Sequence, residues 1–239
     1  MRIFIIADTH LSEQADKSME VFGCRWENYT ERLRTHWQRE VAEEDTVLLA
    51  GDISWAMKLE EAEKDLRFFQ ELPGQKIFLR GNHDYWWSTL SKVENFCRDK
   101  GLDSLHFLQN KALPIGEDFL VAGSRLWLLP DDSRFNQADR KILKREEKRL
   151  ALSLEDAKAQ KSGRRLLVMT HYPPFEKDLQ ANALTGQIRE AGAEAAFYGH
   201  IHRADSPYCL DSVEVDGVPY SLVAADHMDF CPRLIAEGQ

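Results

Sequence analysis

Short apolar segments recur along the chain, and longer stretches with a helical pattern of apolar residues separate them. The predicted strands are Ile3–Ala7, Thr46–Ala50, Lys76–Leu79, Phe119–Ala122, Leu166–Met169, Ala195–Tyr198, Val213–Val215 and Tyr220–Val223. The predicted helices are Asn28–Glu44, Leu59–Glu71, Ser88–Lys100 and Asn136–Gln160. Strands that alternate with helices in this way predict an α/β fold with mixed sheets.

Turn and cap residues mark several element ends. Asn28 is predicted to cap the first helix, with Glu31 at the capping-box position. Asp216-Gly217 predicts a tight hairpin turn directly after the strand Val213–Val215. The sequence has no internal repeat, flexible linker or change of composition, and its length allows a large buried core. We therefore expect one domain over residues 1–239.

Composition narrows the class of protein. A content of 43% hydrophobic and 10% aromatic residues excludes a disordered or collagen-like chain. The apolar run Ile3–Ala7 is too short for a membrane span or a signal peptide, which predicts no membrane partner and a cytoplasmic location. The four cysteines form no Cys-x-x-Cys pair, which indicates reduced thiols rather than a zinc knuckle. A net charge of −9 disfavours general binding of nucleic acid.

A cluster of polar residues follows five of the predicted strands, at the point where each strand ends. The clusters are Asp8-Thr9-His10, Gly51-Asp52, Arg80-Gly81-Asn82-His83-Asp84, Thr170-His171 and Gly199-His200-Ile201-His202. In open α/β sheets, ligands bind outside the carboxyl ends of the strands, so we expect these clusters to meet in one crevice. Carboxylate, amide and imidazole side chains collected in one place predict a metal site.

The segment Gly-Asn-His-Asp at residues 81–84 is the most specific part of this pattern. A fixed four-residue string occurs by chance at roughly one position in 10⁵ on ordinary residue usage. An isolated Asp-x-His or His-x-His is much less informative, because pairs of surface histidines are common. The fixed order of the motifs, each at a strand end, therefore indicates a shared site rather than a coincidence.

Together these motifs resemble the signature of the calcineurin-like metallophosphoesterase superfamily, which reads D-x-H, G-D, G-N-H-D/E, H and G-H-x-H. Every element is present between Asp8 and His202. The resemblance implies a four-layer α/β/β/α sandwich of two mixed sheets flanked by helices, with a dinuclear metal centre between the loops. By position, it implies one metal held by Asp8, His10, Asp52 and His202, and a second held by Asp52, Asn82, His171 and His200. It also implies His83 and Asp84 as the catalytic pair, with Asp84 orienting the His83 imidazole.

The implied activity is hydrolysis of phosphomonoester or phosphodiester bonds by a water that the two metals activate. Two divalent cations bring about +4 and the carboxylates of Asp8 and Asp52 return about −2, so the centre stays positive and suits a phosphate ester. Nitrogen and oxygen ligands without a thiolate fit two divalent or trivalent ions of Mn, Fe or Zn. The expected partner is a phosphate-ester substrate, and the sequence does not indicate which oligomeric state the protein has.

Two differences separate this chain from well-known branches of the superfamily. Purple acid phosphatases carry Tyr three residues after the Gly-Asp aspartate, where this chain has Trp55. Ser/Thr protein phosphatases carry G-D-x-x-D-R-G and end the next motif in Glu, whereas this chain has Ala56-Met57 in place of the Arg-Gly and ends the motif in Asp84. The chain is therefore most similar to the stand-alone, prokaryotic-type phosphohydrolases.

Three residues beside the motifs are candidates for substrate binding. Arg80 could bind the substrate phosphate, and Tyr85 or Trp86 could support an aromatic leaving group. Each has a structural alternative, which is an ion pair for Arg80 and packing beneath the site for the two aromatic residues. For Trp26 and Trp55 we also expect packing roles.

Two other functions remain open at this stage. A basic stripe on the predicted helix Asn136–Gln160 favours a nuclease, although a solvated helix face is the usual meaning of such a stripe and the net charge disfavours nucleic acid. The stripe consists of Arg140, Lys141, Lys144, Arg145, Lys148 and Arg149. The second alternative is a non-catalytic metal-binding scaffold of the same fold. Such a protein should have lost some of the motif residues, and none is missing here.

Overall fold

A computed structural model describes residues 1–14 and 17–238 of the chain. The strands are β1 (Arg2–Ile6), β2 (Thr46–Ala50), β3 (Gln75–Leu79), β4 (Leu105–Leu108), β5 (Leu113–Ile115), β6 (Phe119–Ser124), β7 (Arg165–Thr170), β8 (Ala193–Tyr198), β9 (Val213–Val215), β10 (Val218–Leu222) and β11 (Arg233–Glu237). The helices are α1 (Tyr29–Glu40), α2 (Glu63–Gln70), α3 (Leu90–Asp99), α4 (Gln137–Gln160) and α5 (Ala183–Glu190). Within the described residues, no helix is long and apolar enough to cross a membrane.

The strands form two mixed sheets. The first has the order β11-β1-β2-β3-β4, and only β11 runs antiparallel to its neighbour. The second has the order β5-β6-β7-β8-β10-β9, with antiparallel strands at both edges and four parallel strands between them. A parallel bridge between Ala7 and Ala224 joins the sheets just beyond the ends of β1 and β10. The carboxyl ends of the parallel strands in both sheets therefore face the same crevice.

Alternation along the strands explains how the layers pack. In β1, Ile3 and Ile5 point into the core between the two sheets, whereas Phe4 and Ile6 point into the core shared with helices α1, α2 and α3. Residues of β6, β7 and β8 build a third core together with α4 and α5. The order of layers is helix, sheet, sheet, helix, which confirms the predicted four-layer sandwich.

The eight predicted strands are all present, with small shifts of their ends. The predicted hairpin is also confirmed, because Asp216 and Gly217 both have positive φ angles between β9 and β10. The sequence analysis missed β4, β5, β11 and α5. It also began the second helix too early, at Leu59, because turns precede the first helical residue, Glu63.

The predicted cap of the first helix is wrong. Asn28 lies in the left-handed region with φ 50°, and its side chain makes no capping hydrogen bond. Its backbone N–H instead donates to the carboxylate of Glu20 at 3.1 Å. A complete capping box is found on α4, where Asn136 accepts backbone hydrogen bonds and Asp139 accepts one from Asn136. The prediction that residues 1–239 form one domain stays a prediction.

Candidate metal centre

Sharp turns of the backbone carry the predicted ligands from the strand ends into the crevice. Asp8, His10, Asp52 and His200 all have left-handed backbone, with φ between 46° and 70°. This region is unfavourable for residues with a side chain, and such strain is often found at functional sites. Backbone hydrogen bonds hold the first two turns together: Asp8 N–H donates to Gly51 and His10 N–H donates to Asp52, at 2.8 and 3.0 Å.

The glycines of the motifs allow these turns to approach one another closely. A Cβ atom at Gly81 would clash with the backbone and carboxylate of Asp52, and one at Gly199 would clash with the carboxylate of Asp8. At Gly51, φ is 96°, and a Cβ atom would lie 2.6 Å from His171 Nδ1. The absence of a side chain at these positions therefore lets the ligand side chains come together.

Six side chains converge as two groups, each with one carboxylate and two imidazoles. The Asp8 group consists of Asp8, His10 and His202, and the Asp52 group consists of Asp52, His171 and His200. Within each group the potential ligand atoms all lie within 4.8 Å of one another. The groups adjoin, since Asp52 Oδ2 lies 3.3 Å from His171 Nε2 and 3.7 Å from His10 Nε2.

The Asp52 group is held in place by backbone and amide contacts. His171 is fully buried, and its Nδ1 lies 3.1 Å from the Ala50 carbonyl oxygen, which can only accept a hydrogen bond. Nε2 therefore faces the group, 2.8 Å from Oδ1 of the predicted ligand Asn82. The ring of His200 packs against that of Tyr172 at a tilt of 33°, with ring centroids 3.9 Å apart. Tyr172, which follows His171, thus supports a predicted ligand.

The Asp8 group depends on a residue that the sequence analysis missed. His202 Nδ1 lies 2.9 Å from Oδ1 of the buried carboxylate of Asp226, which leaves Nε2 to face Asp8 Oδ1 at 3.6 Å. A carboxylate that fixes the second nitrogen of an imidazole is typical of metal-ligating histidines. Asp226 follows the predicted strand Tyr220–Val223, so the strand-end rule that found the other clusters could also have found it.

The electrostatics of the two carboxylates differ. Burial, partly offset by the neighbouring His171 and His202, raises the pKa of Asp8 to about 7. The same burial acts on Asp52, but the surrounding imidazoles outweigh it and hold its pKa below the ordinary value. His171 is also buried, yet the negative charge of Asp52 raises its pKa to about 9. For His10, burial dominates and lowers the pKa to about 3.

The donor set fits a divalent metal ion in each group. Asp8 Oδ1 and His10 Nδ1 are buried and have no hydrogen-bond partner within the described part of the chain. Asp8 Oδ1 instead has Nε2 of His10 and Nε2 of His202, the other members of its group, at 4.0 and 3.6 Å. These separations are too long for hydrogen bonds but suit atoms that share an ion at about 2.0–2.2 Å from each.

A model of the calcineurin-like phosphoesterase family matches residues 1–204. The chain belongs to this family. With its two groups of metal-ligating residues, the protein is a metal-dependent phosphoesterase in the general sense. A search of curated proteins gave no match.

Solved structures share the fold of this phosphoesterase at low sequence identity. A protein of unknown function from Aquifex aeolicus is 14% identical, with a TM-score of 0.51 and coverage of 98% of this chain and 95% of its own. A phosphopantetheinyl hydrolase from Mycobacterium tuberculosis is 14% identical, with a TM-score of 0.54 and coverage of 99% and 96%. A protein from Thermus thermophilus is 10% identical, with a TM-score of 0.60 and coverage of 98% of both chains.

The predicted catalytic pair of this phosphoesterase is arranged differently from the expectation. The His83 ring lies beside the rings of His10 and Trp55, with centroid distances of 5.7 and 4.4 Å. Its Nδ1 is buried without a hydrogen-bond partner in the described residues. The backbone N–H of His83 donates to Asp52 Oδ1 at 2.7 Å. The structure therefore brings the His83 ring to the centre but does not bring the Asp84 carboxylate to that ring.

Asp84 instead connects the loop that carries Asp52 to the loop that carries His83. Its fully buried carboxylate accepts backbone hydrogen bonds from Asp52, Ile53, Ser54 and Gly81 at 2.7–3.2 Å, and one from the indole of Trp86 at 3.0 Å. Burial and the charge of Asp52 raise the pKa of Asp84 to about 6, although these hydrogen bonds oppose that shift. The expected orienting contact with His83 is thus corrected to a role in holding the loops.

The candidates for substrate binding separate into three cases. Trp86 is 2% exposed and its indole N–H donates to Asp84, in line with the packing alternative, and its substrate contact stays a prediction. Tyr85 is half-exposed, with its ring centroid 6.1 Å from that of His83. Arg80 lines a small separate cavity with Arg125 and Glu146, away from the metal-ligating groups.

Proposed function

We propose that this phosphoesterase hydrolyses phosphomonoester or phosphodiester bonds at a pair of metal ions. The observation that carries the proposal is the pair of adjoining groups, each with one carboxylate and two imidazoles, beside the ring of His83. The buried Asp8 Oδ1, which has no hydrogen-bond partner within the described residues, supports ion binding rather than a purely structural polar network.

The proposed ligand sets follow the motif positions. Asp52 would be shared, because its Oδ2 lies within 3.7 Å of imidazole nitrogens from both groups. The first ion would be held by Asp8, His10, Asp52 and His202, and the second by Asp52, Asn82, His171 and His200. A shared carboxylate reduces the repulsion between two cations that lie about 3.5–4 Å apart. Nitrogen and oxygen ligands fit Mn, Fe or Zn.

The charges of the side chains suit an anionic substrate. Two divalent ions would add about +4 to the two carboxylates, which leaves a positive centre for a phosphate group. When bound, the ions supply Lewis acidity and a lowered pKa of water. The protein itself orients His171 and His202 through Ala50 and Asp226, so that Nε2 of each ring faces the centre.

His83 is the proposed catalytic residue. Burial, only partly offset by the charge of Asp52, lowers its pKa, so the ring is neutral near pH 7. A neutral imidazole still has one N–H to donate to the leaving oxygen as the bond to phosphorus breaks. Asp84 would act indirectly, by holding the backbone of the Gly51-Asp52 turn against the turn that carries His83.

The test is an assay of the full chain, metal-stripped and after loading with Mn²⁺, on p-nitrophenyl phosphate, on bis-p-nitrophenyl phosphate and on single-stranded DNA. Metal-dependent turnover of a p-nitrophenyl ester is expected. Cleavage of DNA alone would favour the nuclease alternative. Bound metal without turnover of any ester would contradict the proposal and favour the non-catalytic scaffold. The cytoplasmic location stays a prediction.

A further inference from the structure

Two cavities adjoin the turn that carries His200 and His202. The larger, of about 650 Å³, reaches the metal-ligating residues His10 and Asp52 and also the ring of His83. The smaller, of about 200 Å³, lies against Tyr172. Among the described residues, the two cavities share only His200 and His202. A phosphorus atom held at the Asp8 and Asp52 groups would therefore have space for one substituent in each of the two cavities.

The walls of the larger cavity suit an apolar or aromatic group. Besides the metal-ligating residues and His83, they consist of Met19, Phe22, Arg25, Trp26, Trp55, Ala204 and Asp226. Phe22 is 69% exposed, so its ring is available to a ligand. The only cationic side chain in these walls, among the described residues, is Arg25, which lies 3.9 Å from the carboxylate of Asp226. Apolar surface rather than free charge is what this cavity offers.

The walls of the smaller cavity combine aromatic residues with cations that are already engaged. Arg134 makes a two-pronged ion pair with Asp132 at 2.9 and 3.0 Å. Arg203 pairs in the same way with Asp205 at 2.7 and 3.0 Å, and Lys177 Nζ donates to a backbone carbonyl at 2.7 Å. The aromatic walls are Trp127, Tyr172 and Tyr208. Both arginines are therefore neutralised by neighbouring carboxylates, and among the described arginine and lysine side chains of these walls only Lys177, which donates to a neutral carbonyl, has no ion pair. An organic substituent would find contact surface on the aromatic rings.

We infer that the substrate is a phosphodiester with one organic group in each cavity, an inference that rests on the proposed phosphoesterase function. His83 lines the larger cavity and not the smaller one in the described residues, so the leaving group occupies the larger cavity. A water oxygen bonds to phosphorus, the bond from phosphorus to the leaving oxygen breaks, and that oxygen departs as an alcohol after taking up a proton. The second water proton goes to solvent, and the retained group leaves as a phosphomonoester from the smaller cavity.

Substrates with a common leaving group test this assignment on the intact Mn²⁺-loaded protein. p-Nitrophenyl phosphate, methyl p-nitrophenyl phosphate and bis-p-nitrophenyl phosphate share the leaving group and differ in the group that would enter the smaller cavity. The two diesters carry the same charge near pH 7 and form the charge-matched pair, whereas the monoester carries one more negative charge. We expect kcat/KM to rise along this series by about tenfold or more in total, because pocket contacts commonly discriminate substrates by 10–200-fold. A monoester that reacts as fast as the bis ester, or faster, would overturn the inference and leave the phosphoesterase proposal intact.

Two matched variants test which cavity each organic group of the substrate occupies. Ala204 lines the larger cavity and Ser206 lines the smaller one, two residues along the same loop. Ser206→Trp should lower the ratio of bis ester to monoester turnover by about tenfold, whereas Ala204→Trp should slow both esters and change this ratio little. An unchanged ratio in Ser206→Trp, with normal metal content and unfolding temperature, would contradict the assignment. If wild type hydrolyses none of the three esters, the proposed function itself fails.

Discussion

The Asp8 group and the Asp52 group have the same composition, but the protein supports them differently. His171 of the Asp52 group is fully buried and is held by a backbone carbonyl and by Asn82. His202 of the Asp8 group is 31% exposed at its side chain and is held by Asp226. Asp226 lies beyond residues 1–204, the part of the chain that matches the family. Both groups lie within the matched residues, and the Asp8 group is supported in addition by a residue of the C-terminal segment.

The difference suggests that the two groups bind metal unequally. The carboxylate of Asp52 stays ionised, whereas burial raises the pKa of Asp8 to about 7. An ion must displace the proton of Asp8 in one group and the proton of His171 in the other. We therefore expect the metal affinities of the two groups to change over different ranges of pH.

The largest effect is expected from Asp52→Asn. This change removes the carboxylate that contacts both groups, so neither ion should bind stably. The loss of kcat/KM should exceed roughly 10–100-fold, which is typical when a residue that only hydrogen-bonds to a metal ligand is removed. The matched Asp8→Asn variant should keep the ion of the Asp52 group. Metal analysis and ester turnover measure both variants. Retention of two ions by Asp52→Asn would contradict the shared role.

His83→Ala separates chemistry from metal binding. The backbone N–H of His83 donates to the proposed ligand Asp52, whereas its ring makes a tilted ring contact with the proposed ligand His10. We expect both ions to stay bound while kcat falls by about 10²–10⁴-fold, the range of a lost general acid or base. Metal content and turnover, measured on the same preparation, provide the check. Parallel loss of metal and rate would mean that the residue has been misassigned.

Asp226→Ala tests the asymmetry between the groups directly. Loss of the carboxylate that fixes His202 should weaken the ion of the Asp8 group by about 10–100-fold and leave the other ion in place. The metal affinity of Asp226→Asn should lie between those of Asp226→Ala and wild type, because an amide oxygen can still accept a hydrogen bond from Nδ1 of His202. Titration with a chelator measures the two ions separately. Asp211→Asn, which alters an exposed carboxylate on His227 instead, is the control.

The smallest effect is a shift of metal affinity with pH. An ion must displace the proton of Asp8, so the affinity of the Asp8 group should fall by about tenfold per pH unit below pH 7. The metal affinity of the Asp52 group should already fall below pH 9, because the pKa of His171 is about 9 and an ion must displace the proton of this ring. Mn²⁺ titrations over a range of pH follow both transitions. Two ions with identical pH profiles would remove the predicted difference.

Many residues of the candidate metal centre could be predicted from the sequence, because they directly follow the ends of strands. Motif spacing places Asp8, Asp52 and His171 directly after buried parallel strands, and parallel strands bring their carboxyl ends to one edge. The direction of a side chain is harder to predict. The sequence Gly-Asn-His-Asp identifies Asp84, but only the folded backbone reveals that its carboxylate points under the loops toward four amide groups.

The missed elements lack the signals on which sequence patterns depend. β4 is a short edge strand interrupted by the exposed His106, and β11 is an edge strand with several partly exposed residues. The segment that became α5 contains Gly186 and Thr185, both poor helix formers, and tertiary packing of Leu184 and Ile188 stabilises it. Contacts formed only in the folded protein decide such segments.

The left-handed backbone at Asp8, His10, Asp52 and His200 also matters for protein engineering. A side chain in this conformation costs on the order of 1–3 kcal/mol, and glycine would relieve most of that cost. Directed evolution that selects for thermal stability alone would therefore favour glycine at these four positions and enrich variants that are more stable but inactive. A selection scheme for this enzyme has to score turnover in every round.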